Sequence, residues 1–178
     1  RENYPERITK RGCTIVGQSV RLALPAYNEA DSIENTIRSL SIYGDIVVYD
    51  NMSTDLTCSI SESCGAKVVL SPVSGYENVV YHIAKDFIES SYEILCIVDG
   101  DGEVGLNEVK QAIDMLDDCD GVVGFRANPK RISEKIINYL FYKKTGIRDI
   151  YCGFKVLTKN AIATEFVRGT FSTAVVNK

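Results

Sequence analysis

The chain has 178 residues, 45% hydrophobic and 25% charged, with 13 Gly, 4 Pro and no Trp. That supports one domain with its own core and excludes a disordered chain, a collagen-like repeat and a disulfide-stapled miniprotein. The net charge of −4 divides into an acidic stretch over residues 1–118, with nine Lys and Arg against twenty Asp and Glu, and a basic one over 119–178, with eleven against four. Such a split suits one surface that holds cations and another that meets an anion. Scattered solvated charge accounts for the same arithmetic equally well.

Short apolar runs alternate with amphipathic helical patterns, which predicts an α/β domain on a mainly parallel sheet flanked by helices. Strands are predicted at residues 20–26, 45–50, 67–70, 94–99 and 121–125. Helical periodicity runs through Ile33, Ile37 and Leu40, then Val80, Ile83, Ala84, Phe87 and Ile88, then Val109, Ala112, Ile113 and Leu116. Asp31 followed by Glu34 reads as a capping box, and Gly65 as the stop before Lys67. Residues 1–18 read as an N-terminal extension of unclear role and 19–178 as a single domain. No apolar run reaches the roughly 18–20 residues that span a bilayer, and no signal-peptide pattern opens the chain. Six cysteines without a CxxC pair, and a single histidine, leave zinc spacing absent and favour a reduced, cytoplasmic setting. Cys96 and Cys152 read as small buried hydrophobes.

Polar residues gather where strands end: Asn28 and Glu29, Asp50 and Asn51, Asp99 and Asp101. In open α/β sheets that edge binds ligands. Asp99 and Asp101, two apart on an extended segment, point the same way and can face one cation; hard oxygens on a loop favour Mg²⁺ or Mn²⁺ shared with phosphates. A calcium loop fails there, because Val104 stands where its glycine is needed and Lys110 where its glutamate is needed. The other such pair, Asp118 and Asp120, precedes a strand and reads as a solvated loop at the opposite sheet edge. Pro25 is read as forcing the chain out of the sheet. After it, Tyr27 can lie against a flat ring and Glu29 can accept from ribose hydroxyls. Asp50 can accept from a nucleobase N–H, and Ser53-Thr54-Asp55 is explained by helix capping.

The order of these motifs resembles the GT-A glycosyltransferases of family two, and within them the dolichyl- or polyprenyl-phosphate mannose and glucose synthases. The resemblance rests on Pro25-Ala26-Tyr27-Asn28-Glu29, Asp50 through Asp55, Asp99-Gly100-Asp101, Val123 through Arg126 with Arg131-Ile132-Ser133, and Asp149 through Gly153-Phe154-Lys155, over roughly residues 20–160. It implies a GT-A fold and an inverting transfer from a UDP- or GDP-sugar, with Mg²⁺ or Mn²⁺. It also implies that Pro25, Tyr27 and Glu29 hold the nucleoside and Asp50 the base. Asp99 and Asp101 would hold the pyrophosphate and metal, with Glu103 as a third metal position. Arg126, Arg131 and Ser133 would face an acceptor phosphate, and Asp101, Arg126 and Arg131 would carry the catalysis. Guanidinium forks suit phosphate independently of the resemblance.

The sequence departs from that pattern at Glu103, commonly Gln in the family, and lacks the proline-rich stretch that usually follows. The loop Gly75-Tyr76-Glu77-Asn78 carries Glu77 where that branch usually has Gly, and it contains no lysine. The chain ends soon after Ser172, which leaves a C-terminal piece, with membrane-anchoring helices in it, as an expectation. The helix expected at 132–144 has an apolar face of Ile132, Ile136, Ile137, Leu140 and Phe141 flanked by lysines. It suits either an ordinary packed helix or a membrane interface. The acceptor is expected to be a polyprenyl phosphate, already ionised near neutral pH. A glycan hydroxyl would need a base, with Asp149 nearest in chain order. A nucleotide-sugar-binding relative without transfer activity stays open. A phospho-acceptor domain and a dinucleotide-binding enzyme fit poorly, and no nucleic-acid partner is expected.

Overall fold

The computed structural model describes residues 6–9, 19–117, 119–126, 135, 138, 139, 142, 143, 148, 149 and 152–162, the first four by backbone alone. Val-Arg-Leu-Ala-Leu-Pro-Ala is apolar on both sides of the pleat, as a strand between two helical layers must be. It forms β2 (Val20–Ala26), buried almost throughout. Around it lie β1 (Glu6–Thr9), β3 (Asp45–Asp50), β4 (Lys67–Leu70), β5 (Ile94–Ile97), β6 (Cys119–Val123) and β7 (Lys155–Thr158), in the order β1-β6-β7-β5-β2-β3-β4. Strands β2 to β6 run one way, while β7 is antiparallel to both β5 and β6 and β1 is antiparallel to β6.

The helices α1 (Ile33–Leu40), α2 (Thr57–Ser63), α3 (Tyr76–Glu89) and α4 (Leu106–Asp114) cover both faces. Leu22, Leu24, Cys96 and Val98 pack with α1 and α4 residues Ile33, Ile37, Val109 and Ala112. The alternate residues Ala23, Leu95 and Ile97 pack with α3 through Val79, Val80, Ile83 and Phe87. Each fully buried aliphatic contributes about 1.5–3 kcal/mol of transfer free energy. On the α3 face Arg21 Nη1 and the Tyr49 hydroxyl both donate to Asp86 Oδ2, at 2.8 and 2.5 Å, which pins α3 across β2 and β3. The chain passes from β2 to β3 and β4 on one side and returns with β5 on the other. The crevice of this switch point therefore opens above β2 and β5.

Several expectations change. β5 stops at Ile97, and residues 100–102 make a turn with Gly102 at φ +77°, so Asp99 and Asp101 share a site through a turn rather than an extended segment. Pro25 stays inside β2, opposite Tyr49, at the point where regular pairing with β5 has ended. β6 begins at Cys119, so Asp120 lies in a strand and not in a loop, although at the edge remote from the crevice. The capping box is not formed: Ser32 takes the N-cap position, and Glu34 instead accepts from Arg38 Nε at 2.8 Å. Gly75-Tyr76-Glu77-Asn78 starts a helix. Ile88 is exposed, and Val79 replaces it in the core. Gly65, at φ +85°, ends α2 as expected. Cys96 and Cys152 are buried free thiols. From the expected extension, β1 adds a strand to the sheet edge. Of the helix expected at 132–144, its apolar residues lie outside the described residues.

Candidate active site

The β2 exit is held by the segment after β3. Asn28, at φ +56°, donates its N–H to Ser53 Oγ and accepts from Thr54 N through Oδ1, at 2.9 and 2.8 Å. Glu29 N donates to Thr57 Oγ1 and Ala30 N to Asp55 Oδ2, at 2.8 and 3.1 Å. Ser53-Thr54-Asp55 therefore ties two loops together, and Asp55 Oδ1 also accepts from Thr57 N at the start of α2, at 3.0 Å. The Ser32 hydroxyl lies within hydrogen-bond reach of the Gly100 carbonyl and of Glu29 Oε2, at 2.9 and 3.0 Å, joining the β2 exit to the Asp99–Asp101 turn. The result is a cavity of about 210 Å³ walled by Pro25, Tyr27, Glu29, Asn51, Tyr76 and the Asp99–Asp101 turn. Tyr27 is 55% exposed, its ring open to a planar group. Asp50 is buried and does not line this cavity: Oδ2 accepts from Ser53 N at 2.9 Å, and Oδ1 has no hydrogen-bond partner. Its neighbour Asn51 reaches the wall instead and accepts from Gly75 N at 2.9 Å.

Asp99 and Asp101 also line a second cavity of about 170 Å³, together with Glu103, Glu108, Arg126 and Gly153. The two aspartates differ. Asp99 is partly buried, with Oδ1 accepting from the Tyr76 hydroxyl at 3.4 Å, whereas Asp101 is exposed and accepts from Glu103 N at 3.0 Å. Burial pushes the Asp99 pKa up, as do Asp101 and Glu103, against the opposing pull of the Lys155 ammonium and Tyr76. Lys155 is itself buried, and burial lowers its pKa; its Nζ donates to the Cys152 carbonyl. Among the described residues no three acidic, His or Cys side chains converge as a metal cage. Two carboxylates on one cavity suit a hard divalent ion that takes its remaining ligands from phosphates and water, so the residues fit such an ion, with Glu103 on the rim.

Arg126 forms the far wall. Its Nε and Nη2 donate to Asp149 Oδ2 and Oδ1 at 2.8 and 3.1 Å, and Asn138 Nδ2 adds a bond to Oδ1 at 2.9 Å. Burial works to raise the Asp149 pKa, but these bonds outweigh it and hold the carboxyl below its usual range. A carboxylate so stabilised and enclosed is a poor general base, which disfavours the hydroxyl-acceptor route through Asp149. Arg126 also borders a third cavity of about 500 Å³ with Phe125, Lys135, Tyr139, Tyr142 and Arg148. Arg131 and Ser133 lie outside the described residues. Lys135 was legible only as a flank of the helix expected at 132–144, and Tyr76, Glu108, Asn138 and Arg148 were missed as wall or support residues. Only the unusual composition of residues 75–78 signalled one of them.

An α/β sheet with its crevice at the β2/β5 switch point, and an Asp-Gly-Asp turn in that crevice, defines the nucleotide-diphospho-sugar transferase, or GT-A, class of fold. The family model for Glycosyl transferase family 2 matches residues 22–169, and the chain belongs to that family. Glycosyltransferase AglJ of Haloferax volcanii is 29% identical over 157 residues, covering 80% of this chain and 51% of AglJ. Protein RfbJ of Shigella flexneri is 32% identical over 113 residues, covering 61% of this chain and 85% of RfbJ. The chain thus spans about half the length of AglJ. Among solved structures, glucosyl-3-phosphoglycerate synthase from Mycobacterium tuberculosis, in complex with Mn²⁺, UDP-glucose and phosphoglyceric acid, superposes with a TM-score of 0.74 at 20% identity. The match covers 97% of this chain and 71% of that one. At that identity the likeness establishes the fold alone.

Proposed function

We propose that this domain transfers a sugar, with inversion, from a UDP- or GDP-sugar to an acceptor phosphate, for which a polyprenyl phosphate is the best fit. The observation that carries the reading is the meeting of two cavities at Asp99 and Asp101, with Arg126 facing them across the second. The nucleoside occupies the cavity of Pro25, Tyr27 and Glu29, with Asn51 in its wall. Asp99 and Asp101 would hold Mg²⁺ or Mn²⁺, which when bound would supply charge neutralisation for the leaving group. An acceptor phosphate oxygen forms the new bond to the anomeric carbon as the bond to the diphosphate breaks, and the nucleoside diphosphate departs. No proton need leave the attacking oxygen, which fits a wall whose nearest buried carboxylate is committed to Arg126. Arg126, its guanidinium oriented by Asp149, borders both the second and third cavities.

Exposed Tyr139 and Tyr142 beside Lys135 and Lys143 favour peripheral contact with an anionic membrane at its cytoplasmic face. No helix among the described residues is long and apolar enough to cross a membrane. The test is transfer of labelled sugar to a short-chain polyprenyl phosphate presented in anionic vesicles, compared with a free sugar hydroxyl. Wild type should label the lipid phosphate. Asp101→Asn should lose about 100- to 1,000-fold in rate with little change in Tm, since Asp101 is exposed. Transfer by Asp101→Asn at the wild-type rate, or labelling of the hydroxyl alone, would sink the reading. Nucleotide binding without turnover would leave a binding module, and failure to float with the vesicles would remove the membrane contact.

A further inference from the structure

Tyr76 is the first residue of α3, and its place is fixed from two directions. Gly75, at φ +114°, gives its N–H to Asn51 Oδ1 at 2.9 Å and its carbonyl to Asn78 N and Val79 N at 3.0 and 3.1 Å. A side chain there would be strained, so the turn that launches α3 depends on glycine. Ten residues along, Asp86 anchors the same helix to Arg21 and Tyr49. From this fixed position the Tyr76 ring walls the cavity shared with Tyr27 and Glu29, and its hydroxyl reaches Asp99 Oδ1 at 3.4 Å, a long bond.

The other side of Asp99 is equally defined. The antiparallel register sets Ile97 against Lys155, which brings Gly153 opposite Asp99 and leaves Lys155 as the diagonal neighbour on the same face. A Cβ at Gly153 would sit 2.0 Å from Asp99 Oδ2, so the carboxylate lies directly on the Gly153 backbone. Asp101 has no comparable enclosure: it is exposed and accepts from its own turn. The chain thus spends its structure on the orientation of one carboxylate, and Tyr76 supplies the side-chain donor to it.

We propose that Tyr76 is a positioning residue of the donor site, its hydroxyl fixing the orientation of the Asp99 carboxylate while its ring walls the nucleoside cavity. This deepens the proposed function and rests on it. The two roles separate by substitution, since Phe keeps the ring and removes the hydroxyl. The experiment is calorimetric titration of UDP and GDP, with Mn²⁺ and with chelator, into wild type, Tyr76→Phe, Asp99→Asn and the double variant. Circular dichroism and Tm confirm folding. Without metal, Tyr76→Phe should bind the nucleotide as wild type does. With Mn²⁺ it should bind about 3- to 10-fold more weakly, the range of an ordinary net hydrogen bond, as suits so long a contact. In the Asp99→Asn background that loss should vanish, because the two residues act as one unit. Tyr76→Ala should weaken binding with and without metal. Equal affinity of Tyr76→Phe and wild type in Mn²⁺, or an equal loss in the Asp99→Asn background, would overturn the role of the hydroxyl alone. A wild-type protein that binds neither nucleotide would overturn the proposed function and this inference together.

Discussion

At Gly153 the absence of a side chain decides the shape of the site. Its Cα lies against the Asp99 carboxylate so closely that a methyl group would overlap Oδ2. Either Asp99 or the 152–154 segment must then move. Gly153→Ala should destabilise by about 1–3 kcal/mol, as overpacking does. It should also lose Mn²⁺-dependent nucleotide binding, which calorimetry would detect; unchanged binding would mean Asp99 is free to rotate. Asp149 shows the opposite economy, a carboxylate fully enclosed by the donors of Arg126 and Asn138. Its folded pKa is depressed, so its contribution to stability is complete above the unfolded value of about 3.9 and is lost as pH falls through the lower folded value. Asp149→Asn should therefore lower Tm at neutral pH and flatten the loss of stability on the acid side of about pH 4. An unchanged acid limb would show that the pair does not set it. The direction of these contacts was not legible in the sequence, which marks Asp149 only as the carboxylate nearest in chain order should a hydroxyl acceptor need a base; only folding places it under Arg126.

Among the elements, α3 links the core to the site. Its inner face packs on β2, β3 and β5, its Asp86 takes both Arg21 and Tyr49, and its first residue meets Asp99. Asp86→Ala leaves a buried guanidinium and a buried hydroxyl without their shared partner. The expected cost is about 2–4 kcal/mol, or roughly 4–16 °C in Tm for a chain of this size. A drop under about 2 °C would place the anchoring of α3 in its apolar face alone. The interior strands were legible because burial on both sides makes them continuous apolar runs, as in Val20–Ala26 and Asp45–Asp50. β7 was not, because Lys155-Val156-Leu157-Thr158 is short, opens on a charged residue and pairs with strands distant in sequence. The start of α3 was read as a loop for a related reason: Gly75 and Asn78 are turn formers locally, and the contact with Asn51 that makes them a helix start lies 24 residues away.

For the whole molecule, the charge division of the sequence acquires a location. The carboxylates that wall the first two cavities (Glu29, Asp99, Asp101, Glu103 and Glu108) come from the acidic stretch. Arg126, Lys135 and Arg148, which border the third, come from the basic one. Arg126 belongs to both the second and third cavities, so the two halves of the chain meet at one guanidinium. Acids such as Asp31, Glu34, Asp45, Glu62, Glu89 and Asp114 are exposed away from these cavities, so the excess of charge is broader than the site. The central claim is that the crevice above β2 and β5 is a metal-assisted nucleotide-sugar site. Titration of UDP-glucose and GDP-mannose, with Mn²⁺ and with chelator, into wild type and Asp101→Asn tests it most directly. The account predicts that one donor binds wild type, that chelation weakens it by at least about 10-fold, and that Asp101→Asn removes most of that metal dependence. No binding of either donor, or binding indifferent to both the metal and Asp101, would contradict it.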